Sequence, residues 1–166
     1  VRVSAPLALQ CRRSDFFRGI TDCIWRREWR FNYYLSQFSF TGSVDCLLSY
    51  PDGSLGIVDY KTDLVDSACF GAKADEYRWQ LGLYALAAEA AYKRPVKDAR
   101  LYFVRADKTA AVPVGNEELL NIQQEITDVC HFIANHYDES DYLCSPQWCS
   151  FCEFTAFCPG NQSCAV

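Results

Sequence analysis

A Pro51-Asp52-Gly53 triplet between two runs of β-favouring residues constrains this chain more than any other feature. Proline presets φ for the first central position of a turn, and glycine accepts conformations that L side chains resist. Phe38 to Tyr50 reads as a strand before the triplet and Leu55 to Lys61 as a strand after it. Together they predict an antiparallel hairpin. Pairing symmetric about Asp52 sets position 45 opposite position 59, so that Asp45 faces Asp59 with β-carbons roughly 5 Å apart. Like charges at that spacing repel unless a cation sits between them. Carboxylate oxygens are the ligands that hard divalent ions such as Mg²⁺ or Mn²⁺ prefer. Lys61, two residues beyond Asp59, leaves the same strand face. There it can orient, or help deprotonate, a water activated by such an ion. This is a hydrolytic site in outline.

The rest of the chain frames that hairpin. Ser14 can cap a short helix to about Cys23, and Ile24 to Leu35 reads as a first strand. A polar, irregular stretch from Thr62 to about Lys73 precedes a helix over about Ala74 to Lys93, with Pro95 just beyond its end. Tyr77, Leu81, Tyr84, Ala85 and Ala88 recur along it at helical spacing. Gln80 and Tyr84, four apart, share a face that can return over the strands, Gln80 to orient a water or a metal ligand and Tyr84 to contact a phosphate. Ala99–Arg105 and Ala110–Val114 read as another hairpin, and Asn116 can cap a long helix through Cys130 to about Tyr137. The order helix, three strands, helix, two strands, helix, tail predicts a mixed α/β domain. Taken singly, an acid–x–Lys strand is more often a solvent-facing ion pair, Tyr84 more often core and Gln80 more often surface. The order and spacing of the whole set carry the weight.

Composition narrows the class. The chain has 166 residues, half of them hydrophobic, which suits one compact domain and excludes disorder. No apolar run is long enough to cross a bilayer, no signal-peptide pattern opens the chain, and no membrane partner is expected. There is no methionine, so the chain is expected to be a piece of something longer or a processed product. The net charge of −5 is unusual for a protein that meets nucleic acid. It is unevenly spread, however. Residues 1–30 hold seven arginines against three acids, a local +4, which leaves −9 for the remainder. That basic stretch is either a solvated face or a phosphate contact.

Ten cysteines would make a disulfide scaffold in a small secreted chain, but their distribution argues otherwise. Cys11, Cys23, Cys46, Cys69 and Cys130 stand singly and read as buried thiols. Cys144, Cys149, Cys152, Cys158 and Cys164 crowd into the last 23 residues. Cys149, Cys152 and Cys158 form C-x₂-C-x₅-C, a spacing that lets soft thiolates reach one zinc or iron–sulfur centre. A reducing compartment, the cytoplasm, is expected.

Gly42-Ser43-Val44-Asp45, then Ile57-Val58-Asp59-Tyr60-Lys61-Thr62-Asp63, then Gln80-Leu81-Gly82-Leu83-Tyr84-Ala85 resemble the successive motifs of RecB-type nucleases in the PD-(D/E)XK superfamily. The likeness is to the nuclease domain that ends AddA- and RecB-like helicase–nucleases, and it covers about residues 14 to 114, with Arg27-Glu28-Trp29-Arg30-Phe31 and Leu101-Tyr102-Phe103 as similar flanks. The resemblance implies a restriction-endonuclease-like α/β core, a mixed central sheet flanked by helices. Residues 1–141 would form the nuclease core and 142–166 a cysteine-rich, cluster-binding tail. It implies Asp45, Asp59 and the Tyr60 carbonyl as ligands of Mg or Mn, Lys61 as the catalytic lysine, and Gln80 and Tyr84 as the third motif. Glu28 matches an acidic family position, read as a structural ion pair. The tail resembles the C-terminal cysteine triplet of AddB-like relatives. This implies a 4Fe-4S cluster on Cys149, Cys152 and Cys158, with zinc as the alternative. Cys144 is the first choice of fourth ligand, and Cys164 and Cys11 are the others.

One departure stands out. The family's histidine, on a helix ahead of the first aspartate motif, has no counterpart, since His131 and His136 come late. That helix is expected to lie before Val1 or to be missing.

The expected function is metal-dependent hydrolysis of DNA, as an exonuclease on single-stranded ends or flaps, in repair or recombination. A helicase motor would sit in the same or a partner chain. Two other readings stay open: a nuclease-fold module that binds DNA or a helicase partner without cutting, and a zinc-ribbon-like interaction protein.

Overall fold

The computed structural model describes residues 14–63, 70–138 and 152–153. Residues Val1–Val129 make one compact unit and Cys130–Val166 another. The first unit opens with α1 (Asp15–Arg18), whose cap Ser14 accepts a hydrogen bond from the Phe16 N–H at 3.2 Å. The helix stops at Gly19, short of the expected Cys23. Gly19, Ile20 and Thr21 are weaker helix formers than the residues of its first turn, and four residues do not sustain a nucleus.

Strands β1 (Ile24–Leu35), β2 (Phe38–Ser49) and β3 (Leu55–Lys61) follow, and β1 and β3 have the expected bounds. β1 and β2 pair antiparallel from Ile24↔Ser49 to Leu35↔Phe38. β2 and β3 pair antiparallel from Ser49↔Leu55 to Cys46↔Val58, a register symmetric about Asp52 as the turn predicts. Gly53 takes φ 90°, and its N–H bonds the Tyr50 carbonyl at 3.1 Å. The Asp52 carboxylate tightens the turn by accepting from the Ser54 N–H at 2.9 Å and the Ser54 hydroxyl at 2.6 Å.

The helical crossover differs from its expected form. It begins earlier, as α2 (Phe70–Glu76), breaks at Tyr77 (φ −97°, ψ 7°), and resumes as α3 (Arg78–Tyr92). Lys93 ends it in the left-handed conformation two residues before Pro95. The crossover delivers the chain to β4 (Val96–Phe103), which pairs parallel with β3. β5 (Lys108–Ala111) returns antiparallel to β4, ending before the expected Val114. The sheet order β1-β2-β3-β4-β5 is therefore mixed, an α/β arrangement consistent with a restriction-endonuclease-like core. The long helix α4 (Asn116–Asn135) closes the described chain, and it already includes Asn116.

Strand alternation sorts side chains onto two faces. Leu47, Leu55, Ile57, Leu101 and Phe103 form the face packed with Leu81, Ala85 and Ala88 of α3. Cys46, Leu48, Val58 and Tyr102 form the opposite face, covered by Phe16, Phe17 and Trp25. Helices α3 and α4 meet closely at Gly82, where a β-carbon would lie 2.5 Å from Ile122 Cδ1. Arg78 fixes the same contact through Glu118 at 2.9 Å and through Glu125. Removing a fully buried leucine such as Leu81 or Leu101 from this core would cost about 2–5 kcal/mol.

The thiols divide. Cys46 is fully buried as expected, whereas Cys23 and Cys130 are only half-buried. Cys11 and Cys69 lie outside the described residues. In the second unit the Phe132 and His136 rings stack with centroids 4.0 Å apart. Among the described residues, no helix is long and apolar enough to cross a membrane.

Candidate active site

Asp59 occupies the α3-facing side of β3, between Val58 and Tyr60, which belong to the opposite face. It is 4% exposed, a rare place for a carboxylate. Burial pushes its pKa up. The Lys61 ammonium draws it back down, and the charge of Asp45 adds to the rise. Ionising Asp59 therefore counts against the metal-free fold. This group's contribution is most favourable below the ordinary carboxylate range and is lost as pH rises through the raised value.

Lys61 Nζ lies 2.7 Å from Asp59 Oδ2. The approach does not have hydrogen-bond geometry, so among the described residues this buried oxygen accepts no hydrogen bond. A desolvated carboxylate oxygen without a donor is costly unless another cation meets it.

Asp45 stands where the ladder between β2 and β3 ends. Its Oδ2 accepts the Tyr60 N–H at 2.8 Å, one step past the last paired residues, Cys46 and Val58. Within a strand, the N–H and C=O of one residue point the same way and those of the next residue point oppositely. The Lys61 carbonyl accepts from Val104 N–H at 2.9 Å, on the β4 side. The Tyr60 carbonyl is thus directed towards Asp45, where β2 no longer supplies a partner in register.

A local distortion opens this end of the sheet. Register pairs Arg27 with Cys46 and Trp29 with Val44, which sets Glu28 across from Asp45. Glu28 has φ 50°, uncommon for a residue with a side chain. Trp25 packs on one sheet face, whereas Trp29 and Phe31 pack on the other; Cys46 and Val44 switch likewise. Both strands therefore exchange faces at this point. Glu28 is not the ion pair expected of it, since among the described residues its partner is the Ser43 hydroxyl at 3.4 Å. The positive φ turns it outward to an exposed position.

Helix α3 supplies the polar cover. Lys61 Nζ donates to Gln80 Oε1 at 3.0 Å, and Gln80 Nε2 donates to the Tyr84 hydroxyl at 3.1 Å. Burial raises the Tyr84 pKa; Gln80 lowers it, and Asp59 and Asp45 both raise it, so that hydroxyl lies in the field of both carboxylates. Asp59, Lys61, Gln80 and Tyr84 form one continuous file. Tyr77, expected among the apolar stripe of the helix, has a different position: Lys61 Nζ lies 3.8 Å from its ring centroid. Its hydroxyl donates to Asp63 Oδ2 at 3.3 Å. Spacing alone did not separate Tyr77 from its core neighbours, because it keeps their helical period.

The donors available to a metal here are two carboxylates and one backbone carbonyl. Among the described residues, no three His, Cys, Asp or Glu side chains converge. The orphaned Asp59 oxygen and the neighbouring Asp45 charge suit a hard divalent cation. His131 lies on α4 and His136 just after it. Of the tail thiols, Cys152 is exposed, and Cys144, Cys149, Cys158 and Cys164 lie outside the described residues.

Residues 8–159 match the family described as the PD-(D/E)XK nuclease superfamily. The chain belongs to that superfamily. Among PD-(D/E)XK relatives, it is 39% identical over 102 residues to an ATP-dependent helicase/nuclease from Desulforudis audaxviator (strain MP104C), covering 52% of this chain and 8% of that protein. It is 41% identical over 69 residues to the protein of the same name from Bacillus mycoides (strain KBAB4), covering 37% of this chain and 6% of that one. The chain thus spans under a tenth of the length of these relatives. The solved structure of SSO0001 superposes with a TM-score of 0.54 over 92% of this chain and 68% of that one, at 15% identity, a likeness of fold.

Proposed function

We propose that this PD-(D/E)XK domain is a Mg²⁺- or Mn²⁺-dependent deoxyribonuclease that acts on single-stranded ends or flaps during DNA repair or recombination. The observation that carries the reading is the buried file Asp59–Lys61–Gln80–Tyr84 beside Asp45. Asp45, Asp59 and the Tyr60 carbonyl would hold the cation, which when bound offers Lewis-acid stabilisation of phosphate charge and makes water more acidic. Lys61 holds positive charge next to Asp59 and offers a proton-transfer group at Nζ. Gln80 keeps that ammonium aimed at the site, and Tyr84 presents a neutral hydroxyl donor to a phosphate oxygen.

The preference for a single strand is supported by a cleft of about 430 Å³ between β1 and α3, lined by Trp29, Arg30, Phe31 and Ala87 among others. Phe31 meets Tyr84 edge-on at 5.8 Å, so the cleft is continuous with the site. Aromatic faces beside an arginine suit unpaired bases and their phosphates. Digestion of labelled single- and double-stranded DNA with Mn²⁺ tests the reading. Cleavage should stop in EDTA and in Asp59→Ala, and full activity surviving both would refute it.

A second reading, a module that binds DNA or a helicase partner without cutting, draws on the lack of a third converging side-chain ligand among the described residues. It predicts that DNA binding persists in that assay while no product forms with either cation.

For the tail, we propose a 4Fe-4S cluster on Cys149, Cys152 and Cys158 with Cys144 as fourth ligand, its role being to pin the end of the chain. All four cysteines fall within the residues matched by the family, and thiolates are the donors such clusters use. Division into a core over 1–141 and a tail over 142–166 belongs to the same proposal. Freshly purified protein should be brown and contain iron and sulfide. Colourless, zinc-loaded protein would overturn the cluster. A helicase motor in the same or a partner chain is proposed from the names of the relatives.

A further inference from the structure

The lysine of the site has two polar neighbours and one aromatic one. Asp59 Oδ2 at 2.7 Å and Gln80 Oε1 at 3.0 Å lie on the strand and helix sides of its ammonium. Two contacts leave a four-carbon stem free to swing the charge out of line. The Tyr77 ring, with its centroid 3.8 Å from Nζ, blocks that swing and attracts the charge through its π face.

The backbone is shaped around this contact. Tyr77 is the single residue that leaves helical geometry between α2 and α3. Hydrogen bonds nevertheless continue past it, from its N–H to the Lys73 carbonyl at 3.3 Å and from the Leu81 N–H to its own carbonyl at 3.1 Å. Such a break re-aims one side chain while keeping the helix axis. The Tyr77 hydroxyl on Asp63 steadies the far edge of the ring.

We infer that Tyr77 is a positioning residue, a wall that holds the Lys61 ammonium at the carboxylate pair and makes the crossover helix part of the site. The inference rests on the nuclease reading, in that it assigns Lys61 a working position. The ring is the active element, and its hydroxyl is secondary.

Two measurements on the full chain test this. In metal-free protein, the ε-methylene protons of Lys61, assigned by their loss in Lys61→Ala, should resonate upfield of those of exposed lysines, because they lie over the ring. They should remain there in Tyr77→Phe and return to ordinary values in Tyr77→Leu. In Mn²⁺-dependent cleavage, Tyr77→Leu should lower kcat about ten-fold with little change in KM, and Tyr77→Phe should restore it to within about two-fold. In a Lys61→Ala background, Tyr77→Leu should have no further effect, whereas a purely structural role would add its loss in full. An unmoved Lys61 resonance in Tyr77→Leu, or additive losses in the double variant, overturns the inference. A wild-type chain that cuts no DNA would sink the nuclease reading separately, and the resonance would still decide the placement of Tyr77.

Discussion

Two buried polar pairs sit back to back on β3, and they are built on opposite terms. On the α1 side, the Tyr60 hydroxyl shares a hydrogen bond with the Cys46 sulfur among Phe17, Trp25 and Tyr102. Burial pushes the Cys46 thiol up to about 11, and burial also raises the Tyr60 phenol, so both stay neutral at ordinary pH. On the α3 side, Asp59 and Lys61 face each other as an acid and a base, with one carboxylate oxygen lacking a hydrogen bond. The same strand and similar burial thus yield one pair that is electrically quiet and one that carries charge the fold does not need. A buried charge that packing alone does not justify points to function. The contrast locates the chemistry on the α3 face.

Substitutions on the two faces should separate accordingly. Asp59→Ala should reduce cleavage by about 10²–10³-fold or more, since a direct contact to the reacting charge is lost. It should also abolish the rise in Tm that Mg²⁺ or Mn²⁺ gives the wild-type chain, a rise equivalent to about 2.7 kcal/mol when the cation is at 100 times its Kd. If Asp59→Ala keeps the cation-induced rise, the charged face is structural and the comparison fails. Lys61→Ala should cost about 10²-fold in kcat, the lower end for a positioned proton-transfer group, while cation binding persists. Cys46→Ala should do the reverse: lose about 1–2 kcal/mol of stability in a denaturant titration and keep kcat within about two-fold. A kcat loss in Cys46→Ala comparable to that of Lys61→Ala would erase the distinction between the faces. The smallest effect belongs to the cleft, where Arg30→Ala should weaken single-strand binding a few-fold and reduce the salt slope by about one.

Much of this was legible because it depends on periods and symmetry. The turn at Asp52 sets the β2–β3 register, and alternation alone puts Asp59 and Lys61 on one face. The spacing of four between Gln80 and Tyr84 becomes a hydrogen bond. What escaped depends on single backbone dihedrals. Glu28 has no residue-type signal for φ 50°, yet that angle accompanies the exchange of faces that opens the sheet at Asp45. Tyr77 keeps the helical period of a core residue, and only the break at its own position turns its ring to Lys61. The early end of α1 at Gly19 is a matter of marginal helix length, on which a cap such as Ser14 has no bearing.

Mn²⁺ binding to the metal-free chain, followed by titration calorimetry in the wild type and in Asp45→Ala and Asp59→Ala, tests the central claim most directly. A pocket shared by the two carboxylates predicts one site per chain, displaced by Mg²⁺ and lost or weakened at least about ten-fold in each variant. Wild-type affinity retained in either variant would contradict it.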